Sequence, residues 1–187
     1  MVLGIIAAFI VSVIVLALLY GVMLYNSLVS KRTHAEEGWS GIDVALKRRY
    51  DLIPNLVSTV KGYTEHEQRT LEKIIELRSR CGQSSSRTQR AENEEALSGM
   101  LKNLFALAEA YPDLKANTTF IELQKTLNEI EDNLSMARRY YNATVRDLNI
   151  MVQSFPSNII AQRFGFTAME FFEIRNSVER DNIEVAF

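Results

Sequence analysis

The side chains able to do chemistry in this chain are few and far apart. There are two histidines, His34 and His66, and one cysteine, Cys81. His66-Glu67 opens like a zinc-binding His-Glu-x-x-His helix, but residue 70 is Thr, so the second ligand is missing. No Glu-x-x-His pair of the kind that builds di-iron bundles occurs. Both histidines read as solvated side chains rather than ligands. Cys81 has no histidine near it in sequence and closes an apolar stripe, which suits a structural thiol better than a nucleophile. A lone cysteine also rules out an internal disulfide and leaves a reducing compartment compatible. Neither a G-x-S-x-G elbow, a Gly-rich phosphate loop nor a dinucleotide fingerprint is present. The expectation is therefore of no cofactor, no metal and no autonomous catalysis.

Two clusters remain. Lys47-Arg48-Arg49 could hold anionic lipid head groups, but it lies more than twenty residues beyond the nearest apolar segment, so a solvated helix face is the simpler reading. In Tyr140-Tyr141-Asn142 one ring falls on a helical stripe and the other off it. The formal net charge of -2 in 187 residues favours neither nucleic acid nor an acidic substrate.

The elements that must position these side chains are helices. Eight glycines and three prolines leave few turns. No charged residue occurs before Lys31, and Val2 to Tyr25 is apolar apart from Gly4, Ser12 and Gly21. Twenty-four helical residues reach about 36 Å, enough to cross a hydrocarbon core of about 30 Å. A cleaved signal peptide would need a basic start and a shorter apolar run; an uncleaved anchor over residues 1–30 fits better, with residues 2–25 in the lipid bilayer. Tyr20 and Tyr25 stand where interfacial aromatics belong. Lys31 and Arg32 follow the run directly, so the positive-inside rule puts the short N-terminus outside and the rest in the cytoplasm.

Residues 31–187 are expected to form one soluble domain. Trp39, Ile42, Leu46, Arg49, Ile53, Leu56, Val60, Tyr63, Glu67, Thr70, Ile74, Leu77 and Cys81 advance in steps of three and four, a coiled-coil-like stripe. This predicts one helix from Trp39 to Cys81, kinked at Pro54 and weakened at Gly62. A polar loop, residues 82–88, precedes a second helix from about Gln89 to Ala110, with stripe Leu97, Leu101, Leu104, Ala108 and Tyr111. Pro112 stops it. Asn117, Thr118 or Thr119 can cap a third helix, Thr119 with Glu122 at capping-box spacing, running to about Ser154. Its stripe includes Phe120, Leu127, Ile130, Leu134, Tyr141, Val145 and Leu148. Phe155-Pro156 ends it, and Ser157 can cap a short helix through Ile159, Ile160 and Phe164. The tail carries Phe166, Phe171 and Phe172, then a polar run ending Val185-Ala186-Phe187. No strand-length alternation occurs. The fold class is all-α: an N-terminal transmembrane helix followed by an antiparallel bundle of long helices.

Arg49 lies on a core stripe between Leu46 and Ile53. Either it is buried against a carboxylate, with Glu109 and Glu131 the candidates beside the facing stripes, or Pro54 rotates the stripe and lets it snorkel into water.

Several segments together resemble the LemA family: Tyr25 to Val29, the long run Trp39 to Tyr63, Leu104 to Leu114, Ala137 to Asn142, Phe155 to Asn158, and the end around Val185. The resemblance covers nearly the whole chain in the family's order. It implies a membrane-anchored helical bundle with a short outer N-terminus, and it brings no catalytic residues with it. The candidate structural or interaction residues fall in these segments: Trp39, Arg48, Arg49, Tyr50, Asp51, Pro54, Asn55, Glu109, Tyr111, Pro112, Asp113, Tyr140 and Asn142. The function expected is a non-enzymatic interaction or scaffold module at the cytoplasmic membrane face, with a membrane or cytoplasmic protein as partner and a homo-oligomer compatible. The alternative is a regulatory subunit or cryptic enzyme associated with a membrane protease or transporter. A weaker third reading is a sensor of the membrane surface.

Overall fold

The computed structural model describes residues 1–64 and 66–172. The run ending Val185-Ala186-Phe187, and the resemblance around Val185, lie outside the described residues. Among the described residues there are six helices and no strand: α1 Val2–Lys61, α2 Gln68–Gly82, α3 Arg87–Ala108, α4 Pro112–Lys115, α5 Thr118–Gln153 and α6 Ser157–Phe164. The apolar N-terminal run and the first helix of the bundle are thus one uninterrupted α1. Two compact units share its length and that of α5: residues 1–40 with 138–171, and residues 41–137 with Phe172.

In the second unit the expected helix from Trp39 to Cys81 does not form. Lys61 ends α1, and Gly62 and Tyr63 close it through amides bonded to Thr59 and Val60 carbonyls. The chain reverses and α2 returns along α1, which brings Arg78 back to Tyr50. Two half-length helices bury both faces of the stripe against each other, which one long helix could not do. The reversal also resolves the proline. Pro54 has no N–H to offer the carbonyl four residues back. That carbonyl belongs to Tyr50, and Arg78 Nε donates to it at 2.8 Å. A side chain from α2 thus replaces the missing backbone bond of α1.

Ser86 caps α3, its hydroxyl accepting from the Gln89 amide. At the start of α5 the cap is Asn117, whose Oδ1 accepts from the Phe120 amide at 2.9 Å, rather than the Thr119–Glu122 box. Asn117 also donates to the Tyr63 hydroxyl at 2.9 Å, while Glu131 lies beside Arg49, so α5 runs antiparallel to α1 here. The core joins Ile53, Leu56 and Val60 of α1 to Leu71, Ile74, Leu77 and Cys81 of α2. Leu97, Leu101 and Leu104 of α3 and Phe120 and Leu127 of α5 complete it.

In the first unit α1 and α5 are again antiparallel. Lys31 meets Asp147 at 3.1 Å, Ser27 donates to Met151 Sδ at 3.4 Å, and Trp39 stacks edge-on against Tyr141 at 5.3 Å. Small residues permit the approach: Ala35 and Gly38 are buried, and a Cβ on Gly38 would lie 3.1 Å from the Tyr141 Cα. Helix α6 folds back onto Leu28 and Leu148 through Ala161. Gly165, in the left-handed region at φ 73°, ends α6. The next amide, of Phe166, bonds the Ala161 carbonyl at 2.9 Å and sets that ring 5.8 Å from Tyr25.

Candidate functional site

The most strongly built polar feature is a buried ion cluster in the second unit, centred on Arg49. Only 1% of this side chain is exposed, which excludes the snorkelling alternative. Leu46 and Ile53 hold it on the core face of α1, and two other helices, α3 and α5, supply its partners. Glu94 and Ser98, one turn apart on α3, face it together. Glu94 accepts from Nη2 and is itself fully buried. Nη1 donates to Ser98 Oγ at 2.8 Å and to Glu131 Oε2 of α5 at 2.9 Å. The Ser98 hydroxyl donates onward to Glu131 Oε1 at 3.2 Å. Ser98 Oγ is therefore both acceptor and donor, and Glu131, 38% exposed, carries the cluster to the surface.

The electrostatics follow from burial. Desolvation pulls the guanidinium down from its ordinary value, and the Glu131 carboxylate opposes that. A guanidinium starts so high that it stays charged at any ordinary pH. Cys81 lies in the same core; burial pushes its thiol up, against the smaller opposing pull of Arg49 and Arg90. Arg90 in turn meets Asp43 at 2.7 Å, a second tie between α3 and α1. A cavity of about 60 Å³ lies beside the cluster, lined by Arg49, Ser98, Leu101, Lys102, Phe105, Leu127, Asn128 and Glu131. Organic ligands occupy pockets of about 300–1,000 Å³. A space this small admits water or a small ion, so the chemistry the cluster does best is to fix three helices in register.

The other sequence candidates disperse around this centre. Tyr50 and Tyr111 pack against the same apolar core. Arg48 is exposed on a shallow groove of about 260 Å³ with Gly41, Val44, Ala45, Ile130 and Asn133. Asp51 is exposed and pairs with Lys47 at 2.9 Å. Pro54 and Asn55 face solvent, and the Asn55 carbonyl accepts from Thr59 Oγ1. Glu109, one of the two carboxylates considered for Arg49, is not its partner: it follows the end of α3, lies exposed and pairs with Lys115. Pro112 and Asp113 form the first turn of α4 behind Tyr111. Trp39, Tyr140 and Asn142 belong to the first unit, where Trp39 packs on Tyr141 and Tyr140 is exposed.

Glu94 and Ser98 were missed by sequence reasoning. The signal was present: one step of three back from Leu97, the α3 stripe reaches Glu94 and then Ala91, both fully buried. A carboxylate on one stripe and a guanidinium on another is a pairing that two separately read stripes conceal.

The match to the LemA family model spans residues 38–187, which takes in this cluster and all but the first part of α1. The chain belongs to the LemA family. It is 25% identical over 162 residues to Protein LemA of Metamycoplasma hominis, covering 86% of this chain and 74% of that protein. It is also similar to Magnetosome protein MamQ 2 of Paramagnetospirillum magneticum, 23% identical over 177 residues, and to Magnetosome protein MamQ of Magnetospirillum gryphiswaldense, 21% identical over 176. Those matches cover 81% and 80% of this chain and 65% of each relative, so the chain spans somewhat under two thirds of the MamQ proteins.

Proposed function

We propose that this protein is a membrane-anchored, non-enzymatic interaction or scaffold module whose helical bundle lies on the cytoplasmic side. The observation that carries the reading is α1 itself. Its N-terminal part is long and apolar enough to cross a membrane, and every residue from Met1 to Tyr20 is exposed rather than covered by the rest of the protein. A core helix of a water-soluble protein would hide such a surface; this one offers it to lipid. The same helix continues into the bundle, so anchor and bundle share one backbone. Lys31 and Arg32 at the end of the uncharged run support a cytoplasmic bundle. The interaction role is supported by the Arg49 cluster, whose hydrogen bonds from Nη1 and Nη2 run between helices. The relatives' names denote a family or the magnetosome, and none denotes a reaction.

Two experiments test this. A cysteine at Ser30 should stay unlabelled by membrane-impermeant maleimide outside intact cells and label once they are opened; labelling of intact cells reverses the orientation. A photo-crosslinker at Arg48, on the exposed groove of α1, should trap a discrete partner or a second copy in native membranes. Turnover of a small substrate by the purified full chain, abolished by Ser98→Ala, would instead make the Arg49 cluster an enzyme's site.

A further inference from the structure

We propose that the turn after α5 together with α6, residues 155–164, is a second membrane-inserting element, lying in the headgroup–acyl boundary beside the anchor. The inference rests on the anchor reading and extends it.

The register between α1 and α5 comes first. Lys31 pairs with Asp147, and four residues nearer the N-terminus Ser27 meets Met151, four residues further along α5. Each turn back along α1 is matched by a turn forward along α5. One more step runs past the end of α5 at Gln153, so the turn that follows lies toward Met23, inside the apolar run Val2–Tyr25. The contacts of α6 agree. Ile160 lies 3.9 Å from a Cβ placed on Gly21, and Phe164 packs edge-on against Tyr25 at 4.8 Å. If residues 2–25 are in lipid, the tip of α5 and all of α6 stand where the anchor leaves it.

The chemistry of the segment suits that depth. Lys31 with Asp147 is the first charge on either helix, and beyond it α1 carries no charged residue back to Met1. On the other side of the pair, along the end of α5 and α6, Leu148 to Gln162 also has no charged side chain. The two uncharged segments are the ones that pack together through Leu28, Leu148 and Ala161. Outward, Phe155 is 80% exposed, Phe164 60% and Ile159 56%, three large apolar groups within ten residues. Against water this is a costly patch; at an interface, aromatic and aliphatic side chains of an amphipathic helix are stabilised by partial burial. Gln162 and Arg163 share the exposed side of α6, and the Arg163 stem is long enough to keep its head among the phosphates.

The test uses the full chain in phosphatidylcholine–phosphatidylglycerol nanodiscs, with an environment-sensitive nitrobenzoxadiazole label on a single introduced cysteine; Cys81 is replaced by Ala. Phe9→Cys reports the anchor, Ile159→Cys the proposed element, and Tyr140→Cys, exposed four turns away along α5, the aqueous side. Nitroxide lipid labelled near the carbonyls should quench residue 159 several-fold more than residue 140, and iodide several-fold less. Residue 9 should answer to lipid alone. If residue 159 matches residue 140 while residue 9 is in lipid, the inference fails and the anchor stands. If residue 9 is also in water, the anchor reading fails and takes the inference with it. Shielding of residue 159 from both quenchers means that protein rather than lipid covers α6, which equally overturns it.

Discussion

The two compact units are built from the same pair of antiparallel helices, α1 and α5, yet they are held together by opposite means. In the unit of residues 41–137 the helices are tied by a buried charge cluster, with Arg49 of α1 bound to Glu94 of α3 and Glu131 of α5. In the unit of residues 1–40 and 138–171 the helices approach through Ala35 and Gly38, their buried contacts are apolar and aromatic, and the ion pair that joins them, Lys31 with Asp147, is solvated. The contrast has a physical logic. A charge cluster names its partners and so fixes which helices meet in a bundle of four, but removing one member strands the others in low dielectric. Small-residue packing needs no polar group, tolerates a lipid surround, and is sensitive to volume instead. One unit should fail through charge and the other through size.

The largest expected effect is therefore at Arg49. Arg49→Ala leaves Glu94 buried beside an empty space and should destabilise the full chain by about 3–5 kcal/mol in chemical denaturation. A loss within about 0.5 kcal/mol, as at an ordinary surface site, would end the structural role given to the cluster. Next is Gly38→Leu, which drives a side chain into the Tyr141 backbone and should cost about 1–3 kcal/mol by overpacking; unchanged stability would mean the helices are not close there. Smaller again is the proline patch. Arg78→Ala should cost roughly 1 kcal/mol by leaving the Tyr50 carbonyl without its donor. In the Pro54→Ala background, where residue 54 regains its N–H, the same change should cost less. Additive losses in that cycle would show that Arg78 and Pro54 are not coupled.

The smallest effect depends on pH. The Lys31 ammonium bonds Asp147 and holds its carboxyl below the usual carboxylate value. A carboxylate depressed by folding adds stability above its unfolded value, and that contribution disappears as pH falls through the folded one. Asp147→Asn should thus change little at neutral pH, because the pair is solvated, and should flatten whatever acid-side loss the wild type shows between the two values. Cys81 has the opposite sign: burial keeps its thiol protonated, so its contribution is full below the ordinary thiol value and declines as pH rises above it.

The all-helical class, the apolar segment and most of the buried stripes could be read directly, because amphipathic periodicity survives in Ile42 to Val60, Leu97 to Ala108 and Phe120 to Leu148. The reversal after Lys61 could not. The stripe keeps its phase through Tyr63, Glu67 and Thr70, so the pattern looks continuous where the chain turns; the polar residues on the stripe were the mark of the break. The cluster was half legible. Arg49 was visible as a misplaced charge, and Glu131 as a carboxylate beside Ile130. Glu94 escaped because the α3 stripe was begun at its first leucine, and Glu109 misled because it lies past the last turn of that helix. Periodicity records which face is buried and is silent on which helix lies opposite.

Amide hydrogen exchange on the full chain in nanodiscs tests the contrast most directly, with Arg49→Ala and Gly38→Leu compared with the wild type. Arg49→Ala should lose protection through Gly41–Lys61, α2 and α3 while Leu28–Trp39 and Tyr141–Gln153 keep theirs, and Gly38→Leu should give the reverse. A uniform loss in both variants, or the same segments opening in each, would contradict the account.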